Sequence, residues 1–563
     1  MFDEELVKKS KALEERWRRH VEERYRGADF KATTASGIPV KPMYSAADVA
    51  DKDYEDIGVP GEYPYTRGVY PLHYQFQPWM NQLVHGYGLP EQTRERMDLL
   101  SREGMRGYFG GGVHNLVYDL VSQGGYDPDH PEAWGRVGQC GVSVATVKDM
   151  ELLFHGLPLD KSNVVHIIGE PTMAILAMFI VAGERMGYAK DKLRGNTMNY
   201  LFRQWHWDTV GFPPENSFKL MVQLVKYCTR EMPQWNTTNF AGYNMEEAGA
   251  TAVQELAFTL GTAVALTEEC VKAGLNPDDF LPRFGFQIAQ GNDFFEQIAK
   301  LRALRRMWAK INKERFGCNN PKSMQARVHT HTAGCTLTAQ QPLNNIVRSA
   351  MQTLGAVLGG TNAIETASYD EAFSIPTEEA ATLALRTQQI ILHETKIPDV
   401  SDPLAGSYYL EWLTDRIEEE AYKLMQKIDD LGGYIQCWRS GWLKGEVIRS
   451  AHHWRESVNS GVEKVVGLNI YESGEQERIP VFKTDPEVER VAIERVRKYR
   501  EERDSTKTQG ALAAVREEAL KARQGEGGEG ELMPALIEAA RADATLGEMM
   551  DVLKNVFDWG YAY

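Results

Sequence analysis

VVHIIGEPTMAILAMFIVAGERM, residues 164–186, holds the pattern that decides the fold: a short β-branched segment followed directly by a longer apolar one. Val164–Ile168 predicts a buried strand, and Pro171–Met186 predicts a helix that begins at a proline. A strand followed by a helix, repeated about seven or eight times over about 350 residues, is typical of an α/β protein with a (β/α)8 TIM barrel. The other predicted strands are Gly107–Gly111, Val142–Ala145, Thr197–Phe202, Thr237–Ala241, Phe284–Ile288 and Ala326–His331.

The barrel pattern occupies the middle of three predicted parts. Residues 1–62 form an amphipathic helix followed by an extended arm rich in proline and glycine. Residues 63–410 form the barrel. Residues 411–563 predict a charged helical region, in which ERVAIERVRKYREERD (489–504) is interpreted as a solvated helix face.

Composition excludes several classes of protein. The 563 residues carry 63 Lys+Arg against 79 Asp+Glu, a net charge of −16, which argues against nucleic acid and anionic membranes as partners. The six cysteines are far apart and form no CxxC pair, so neither a zinc site nor a disulfide framework is predicted. The N-terminus is charged, unlike a signal peptide, and residues 172–183 are too short an apolar stretch to span a bilayer. These features predict a cytoplasmic protein.

Three clusters follow predicted strands, where a barrel places its active site. In the first cluster, Glu247 lies in the first turn of a helix. A role in the site and a favourable interaction with the helix dipole are equally good interpretations of this carboxylate. In the second, alternation puts His329 and His331 on one strand face, but no third metal ligand has suitable spacing, and no metal is predicted. In the third, Trp205 and Trp207 flank His206, and packing is favoured over ligand stacking.

Many short motifs in the same order, over nearly the whole chain, resemble the large subunits of adenosylcobalamin-dependent acyl-CoA mutases. This is the family of methylmalonyl-CoA, isobutyryl-CoA and 2-hydroxyisobutyryl-CoA mutases. The motifs include Tyr65–Gly68, Gly124–Asp129, Leu153–Leu159, Met232–Asn236, Ala241–Tyr243, Glu247–Ala250, Ala299–Ala303, Asn320–Ser323, Leu337–Gln340, Asp370–Ala372 and Thr545–Met549.

The resemblance implies a cofactor, a reaction and a partner. In such enzymes a radical generated from adenosylcobalamin abstracts a substrate hydrogen and triggers a 1,2 carbon-skeleton shift. The Asp-x-His-x-x-Gly loop that grips cobalamin in this family does not occur in this sequence. A separate small cobalamin-binding subunit is therefore expected, in a heterotetramer or other hetero-oligomer.

The resemblance assigns five residues to the reacting end of the pocket. Asn244 stands where relatives have an imidazole; an amide can donate a hydrogen bond to a thioester oxygen but cannot become a cation. Trp207 replaces an arginine that clamps a carboxylate in methylmalonyl-CoA mutase. Met198 replaces a glutamine of the relatives, and Val84 replaces an aromatic or isoleucine side chain. Tyr243 is the fifth residue assigned to this end. A bulky, apolar or aromatic acyl group is therefore expected, rather than methylmalonyl.

The resemblance implies that the CoA moiety lies along the barrel axis. Gln77 and Gln82 replace arginines that lie near the CoA phosphates in relatives. Each charge-assisted contact contributes roughly 1.5–3 kcal/mol, so either other basic residues replace them or the acyl carrier is not standard CoA. The residues assigned to substrate and CoA are Arg67, Tyr70, Gln77, Gln82, Asn236, Arg283 and His329.

The resemblance also defines a cofactor face. The carboxylate of Glu371 suits a pair of ribose hydroxyls. Core packing is an equally good interpretation of Tyr118, Leu120 and Cys140. The residues assigned to this face are Glu247, Glu371, His331, Gly334, Tyr118, Leu120, Cys140 and His206.

Two alternatives remain open at this point. The loss of the usual imidazole, glutamine and arginine would fit a catalytically retired homologue that serves as a scaffold for a cobalamin-binding subunit. A weaker alternative is a barrel lyase or isomerase that works without cobalamin and uses His329 and His331.

Overall fold

Eight parallel strands close into a barrel in the computed structural model, which describes residues 4–25, 32–199, 210–474, 479–525 and 528–561. The last strand pairs with the first, with Glu365 opposite Gln82, so the sheet has no free edge. The predicted (β/α)8 fold is therefore confirmed. The barrel strands are β1 (Met80–Gln82 and Val84–His85), β2 (Val113–Val117), β3 (Asn163–Ile168), β4 (Gly195–Asn199), β5 (Trp235–Asn236 and Thr238–Ala241), β6 (Phe284–Gln290), β7 (Val328–Thr332) and β8 (Ala363–Glu365).

Each strand is followed by a helix on the outside of the barrel. Thr146 and Thr251 accept backbone N–H groups at two helix starts and form capping boxes with Asp149 and Gln254, which fixes where those helices begin. The outer helices are Pro90–Arg102, Val147–Phe154, Thr172–Arg185, Pro214–Glu231, Ala252–Lys272, Phe294–Glu314, Asn344–Leu358 and Glu378–Glu394. Short helices lie at Tyr54–Ile57, Leu120–Gln123, Tyr243–Glu247 and Pro277–Phe280.

Two predicted strands are wrong and three barrel strands were missed. Residues 107–111 form a glycine-rich turn in which a Cβ on Gly111 would lie 2.4 Å from the Lys161 carbonyl oxygen. Val142 makes only isolated bridges, to Gly88 and Tyr118, so residues 142–145 form no strand. The missed strands are β1, which is broken at Leu83, β2, whose five residues include His114 and Asn115, and β8, which has three residues. Segments this short carry no detectable hydrophobic period.

The N-terminal part packs against the barrel. Helix Glu4–Arg24 is followed by a hairpin of Ala32–Thr33 and Pro39–Val40. The N–H groups of Ala35 and Ser36 donate to the carboxylates of Asp293 and Glu296 at 2.8 and 3.1 Å. The arm is thereby attached to the start of the helix that follows β6.

The C-terminal helices cover apolar parts of the barrel. Helix Leu532–Arg541 packs on Thr172–Arg185, which buries residues 172–183 completely. The predicted solvated face is in part buried, because Val488, Ala492 and Val496 point inward from Glu487–Glu502. Within the described residues, no helix combines the length and apolarity needed to cross a membrane. The other helices of this part are Tyr408–Asp430, Tyr434–Arg439, Trp442–Asn459, Ser505–Gln524 and Leu546–Val556; Gly560–Tyr561 pairs with Val210–Gly211.

A buried charge network joins the barrel to helix Tyr408–Asp430. Arg302 lies on the helix that follows β6 and donates to Asp402 and Glu411 at 2.5 and 2.6 Å. Because all three side chains are nearly inaccessible, the guanidinium is held by partners rather than by water. The network therefore fixes the direction in which the chain leaves the barrel.

Candidate active site

One side of the barrel interior is apolar. The side chains cluster where strands β1 to β5 approach the C-terminal end of the barrel, the end at which barrel enzymes bind their substrates. None of them offers a strong hydrogen-bonding group, so this wall suits hydrocarbon. The cluster comprises Val84, Val117, Val165, Ile167, Met198 and Ala241.

The opposite side carries a buried carboxylate, Glu365, at the end of β8. Its Oε1 accepts the N–H of Val84 at 2.5 Å, and its Oε2 accepts Nδ2 of Asn115 at 3.2 Å. Side chains of β8 and β2, which are not neighbouring strands, can meet in this way only inside the barrel. Glu365 therefore faces the interior.

Two histidines of β7 flank this carboxylate. The Nε2 atoms of His329 and His331 lie 3.9 and 3.5 Å from Oε2 of Glu365. Burial lowers the pKa of His329 to about 4. Burial would also lower the pKa of His331, but Glu365 and Glu371 together raise it to about 9. These pKa values favour the imidazolium form of His331 and the neutral form of His329 at neutral pH.

Tyr243 and Asn244 lie on the short helix that follows β5. A Cβ on Gly242 would lie 2.2 Å from Oγ1 of Thr259, so this close approach of the helix requires glycine. The Tyr243 ring lies on the His331 ring, with centroids 4.2 Å apart and planes inclined at 33°. Asn244 is buried, and its Nδ2 has no hydrogen-bond partner in the part of the chain that the structure describes. This unpartnered donor is suited to a ligand carbonyl.

A buried lysine holds that helix in place. Nζ of Lys300 donates to Oε2 of Glu246 at 2.8 Å, to Glu255, and to the Ala289 carbonyl at 3.0 Å. Gln297 adds a hydrogen bond of 3.2 Å to Glu246. Tyr243 and Asn244 are thus positioned by an ion-pair network behind the barrel wall.

Two carboxylates line the face above the strand ends. Oε2 of Glu247 accepts the N–H of Cys335 at 2.9 Å, while its Oε1 is buried without a partner among the described residues. Oε1 of Glu371 accepts the N–H of Ser368 at 2.6 Å. Burial raises the pKa of both, that of Glu371 to about 7. Gly334 borders Glu247, because a Cβ there would lie 3.3 Å from Oε2.

The other residues predicted for the cofactor face lie in different environments. Tyr118 is in the hydrophobic core, and its hydroxyl lies 2.6 Å from Nδ1 of His166. Leu120 is half-buried at the start of a short helix, and Cys140 is exposed with a positive φ of 52°. Core packing is the interpretation that the contacts of Tyr118 favour. His206 and Trp207 lie outside the described residues.

Two arginines lie at the N-terminal end of the barrel. Arg283 precedes β6 and Arg327 precedes β7, and burial together with Arg327 lowers the pKa of Arg283. Arg327 donates to the Pro282 carbonyl and, at 3.4 Å, to Oδ1 of Asn236. Neither arginine has a carboxylate partner among the described residues. Two half-buried guanidinium groups that influence each other and have no carboxylate partner among the described residues are suited to bind an anion.

The remaining predicted CoA residues are not gathered at one point. Gln82 faces the interior beside Glu365, whereas Gln77 lies before β1 and donates to the Pro78 carbonyl at 3.2 Å. Arg67 is committed to structural contacts, with Asp402 at 3.2 Å and the Gly58 carbonyl at 2.9 Å. Tyr70 is 39% exposed.

Sequence reasoning missed three residues: Glu365, Arg327 and Lys300. Glu365 ends a strand that was not recognised, so no signal marked it. Arg327 stood in the quoted cluster at the start of a predicted strand, and its basic character was the available signal. Among the described residues, no group of three or more His, Cys, Asp or Glu side chains could hold a metal ion.

A closed (β/α)8 barrel with ionisable side chains gathered at the C-terminal ends of its strands is the architecture of a barrel enzyme. The model of the family described as methylmalonyl-CoA mutase matches residues 33–559. The chain therefore belongs to the methylmalonyl-CoA mutase family, a family of isomerases, and the predicted resemblance is confirmed.

Similar proteins support this assignment. The chain is 38% identical to the 2-hydroxyisobutanoyl-CoA mutase large subunit of Aquincola tertiaricarbonis, covering 94% of this chain and 92% of that protein. It is 35% identical to human mitochondrial methylmalonyl-CoA mutase, covering 99% of this chain and 73% of the relative. For methylmalonyl-CoA mutase of Rhizobium meliloti the identity is 38%, over 93% of this chain and 72% of the relative.

Proposed function

We propose that the protein is the large, catalytic subunit of an adenosylcobalamin-dependent acyl-CoA mutase that acts on a bulky, apolar or aromatic acyl group. The reaction is a radical 1,2 rearrangement of the carbon skeleton. The observation that carries the substrate preference is the apolar wall that includes Val84, Ile167 and Met198. An acyl group with a free carboxylate would have no cationic partner on that wall, and its desolvation would be costly.

The proposed path of the CoA ester follows the barrel axis. Arg283 and Arg327 at the N-terminal end provide positive charge for the CoA phosphates. They would compensate for the arginines that relatives have where this chain has Gln77 and Gln82. The unpartnered Nδ2 of Asn244 would donate to the thioester oxygen. This arrangement brings the acyl group between the apolar wall and Tyr243.

The residues at the C-terminal end fit a large polar cofactor. The buried, unpartnered Oε1 of Glu247 and the carboxylate of Glu371 can accept hydrogen bonds from hydroxyl or amide groups. When bound, adenosylcobalamin supplies the organic radical that starts the reaction. The chain's own task is to orient the acyl group and to exclude water, for which the enclosed interior is suited.

The cobalamin is proposed to be bound mainly through a separate small subunit, in a heterotetramer or other hetero-oligomer. The chain covers 92% of a relative named a large subunit, which supports this proposal. All six cysteines are free thiols, which supports a reducing, cytoplasmic location.

The test is to combine the protein with a small subunit bearing Asp-x-His-x-x-Gly, adenosylcobalamin and a panel of acyl-CoAs. Isomerised product is detected by mass spectrometry, and the panel includes methylmalonyl-CoA and apolar, branched and aryl-substituted acyl groups. The proposal expects turnover of apolar or aryl members and little of methylmalonyl-CoA. Tight assembly without turnover or a substrate-induced electron paramagnetic resonance signal would instead identify a retired scaffold. Turnover without cobalamin would identify a different kind of barrel enzyme.

A further inference from the structure

Glu365 links β8 to β1 and β2, the strands that meet where β8 pairs with β1 and closes the barrel. It lies on β8 and accepts hydrogen bonds from Val84 on β1 and Asn115 on β2. The two imidazoles of β7 also lie close to it. A carboxylate buried to this degree is stable as an anion only where such donors and a cation compensate its lost hydration.

His331 connects this carboxylate to the residues at the reacting end. Its Nδ1 donates to the Thr332 carbonyl at 2.7 Å, since a carbonyl can only accept. Its Nε2 faces Glu365, and the flat side of its ring lies against Tyr243. With both nitrogens engaged in this way, the ring has one preferred orientation, and Tyr243 packs on it.

The groups around His331 are mostly acidic. Glu365 faces it from β8, Glu371 from the loop after β8, and Glu247 from the helix after β5. His329 on its own strand is neutral, and burial raises the pKa of both Tyr243 and Cys335, which therefore carry no charge at neutral pH. No cation opposes protonation among these neighbours. Glu365 contributes most to the retention of the proton.

We propose that Glu365 is a positioning residue that pairs with His331 as an imidazolium and so holds the His331 ring against Tyr243 at the reacting end. The proposal rests on the proposed mutase function for its catalytic consequence. Because Asn244, the next residue on the same short helix as Tyr243, offers its Nδ2 to the thioester oxygen, loss of the pair between Glu365 and His331 would let Tyr243 shift and would misplace that donor.

The first experiment needs no catalysis. The protein is labelled with 13C at histidine Cε1, and each of its 13 histidines is titrated by NMR between pH 5.5 and about 10. The signal of His331 is assigned by its loss in H331Q. The proposal expects a midpoint near 9. A midpoint at or below about 6.5, the ordinary value, would overturn it without any Glu365 variant.

The second experiment compares E365Q with E365D. Glutamine removes the charge, so the His331 midpoint is expected to fall by roughly two pH units or more, whereas aspartate keeps most of the shift. E296Q is the matched control: Glu296 is a buried carboxylate at the start of helix Phe294–Glu314, and its loss should leave His331 unchanged. An unchanged midpoint in E365Q would overturn the proposal.

The pH dependence of kcat then separates positioning from simple support of the fold. Loss of kcat in the wild type is expected above about pH 9, and in E365Q above about pH 6.5, with recovery on acidification and rescue by E365D. A uniform loss at all pH values, with the His331 midpoint shifted, would show that the charge has no role in the reaction. If no acyl-CoA is turned over by the wild type while the NMR shift occurs, the proposed function fails and the coupling between Glu365 and His331 stands.

Discussion

Asp127 accepts a hydrogen bond of 2.5 Å from the hydroxyl of Thr545, 418 residues further along the chain. The same carboxylate accepts the N–H of Gly547 at 2.9 Å and the guanidinium of Arg500 at 2.5 Å. Thr545 also caps the helix that begins at Leu546. One buried carboxylate therefore fixes the last helices of the chain to the loop that follows β2.

Asp127→Asn is expected to loosen the C-terminal helices. The amide loses the negative charge and presents a donor to other donors, which leaves Arg500 partly unpaired. Breaking a buried ion pair costs about 3–5 kcal/mol, and because Arg500 is 29% exposed we expect a value near the lower end. Thermal unfolding and the rate of tryptic release of the C-terminal segment measure the effect. Asp129→Asn is the control, since its more exposed pair with Arg500 should contribute less; equal effects of the two changes would contradict the interpretation.

Arg283→Met and Arg327→Met are each expected to weaken binding of acyl-CoA without slowing the chemical step. A charge-assisted contact of roughly 1.5–3 kcal/mol corresponds to a rise in KM of about 10- to 100-fold. Steady-state kinetics with acyl-CoA and with the same acyl group on pantetheine, which lacks the nucleotide phosphates, measure this. The pantetheine thioester should be insensitive to either change. Arg19→Met, on the exposed N-terminal helix, should alter neither substrate; a fall in kcat alone would argue against phosphate binding by the pair.

Met198→Ala is expected to shift selectivity toward larger acyl groups. Met198 is buried in the apolar wall, so its truncation enlarges the space next to the acyl group. One methylene in such a pocket changes kcat/KM by about 10- to 200-fold, and we expect the ratio of a large to a small acyl-CoA to rise by at least tenfold. Competition between two acyl-CoAs, read by mass spectrometry, measures the ratio. Met351→Ala on the outer surface serves as the control, and a ratio unchanged in Met198→Ala would place the acyl group elsewhere.

Thiol labelling is expected to map the docking face of the cobalamin-binding subunit. Cys140 and Cys335 are exposed and the other four cysteines are buried, so the native protein should react at two sites and the unfolded protein at six. Although Cys335 is exposed as a whole residue, its Sγ is partly buried against the Glu246 carbonyl at 3.7 Å, and the thiol should react slowly because this burial and Glu247 raise its pKa. Addition of the small subunit with its cofactor should protect Cys335, which lies beside Glu247. A cysteine introduced by Glu394→Cys, at the end of the helix that follows β8, should stay reactive; continued labelling of Cys335 in the complex would contradict this docking face.

Much of the barrel could be predicted from local pattern. Helix Thr172–Arg185 has the expected type and nearly the expected bounds, because its apolar character and the proline before it are local features of consecutive residues. Three barrel strands could not be predicted, since β8 has three residues, β1 is interrupted, and β2 is a five-residue segment with polar side chains at His114 and Asn115. Their stability comes from neighbours on both sides rather than from their own composition.

The sequence by itself determined the alternation of strands and helices, the family, and the residue types that follow the strands it predicted. Only the tertiary structure decided which of them meet. The proximity of His331 to Glu365, of Arg283 to Arg327 and of Asp127 to Thr545 depends on strand register and on barrel closure. The physical reason is that helix and strand preferences act between residues a few positions apart, whereas pKa values and anion-binding positions depend on the distances between side chains that the fold brings together.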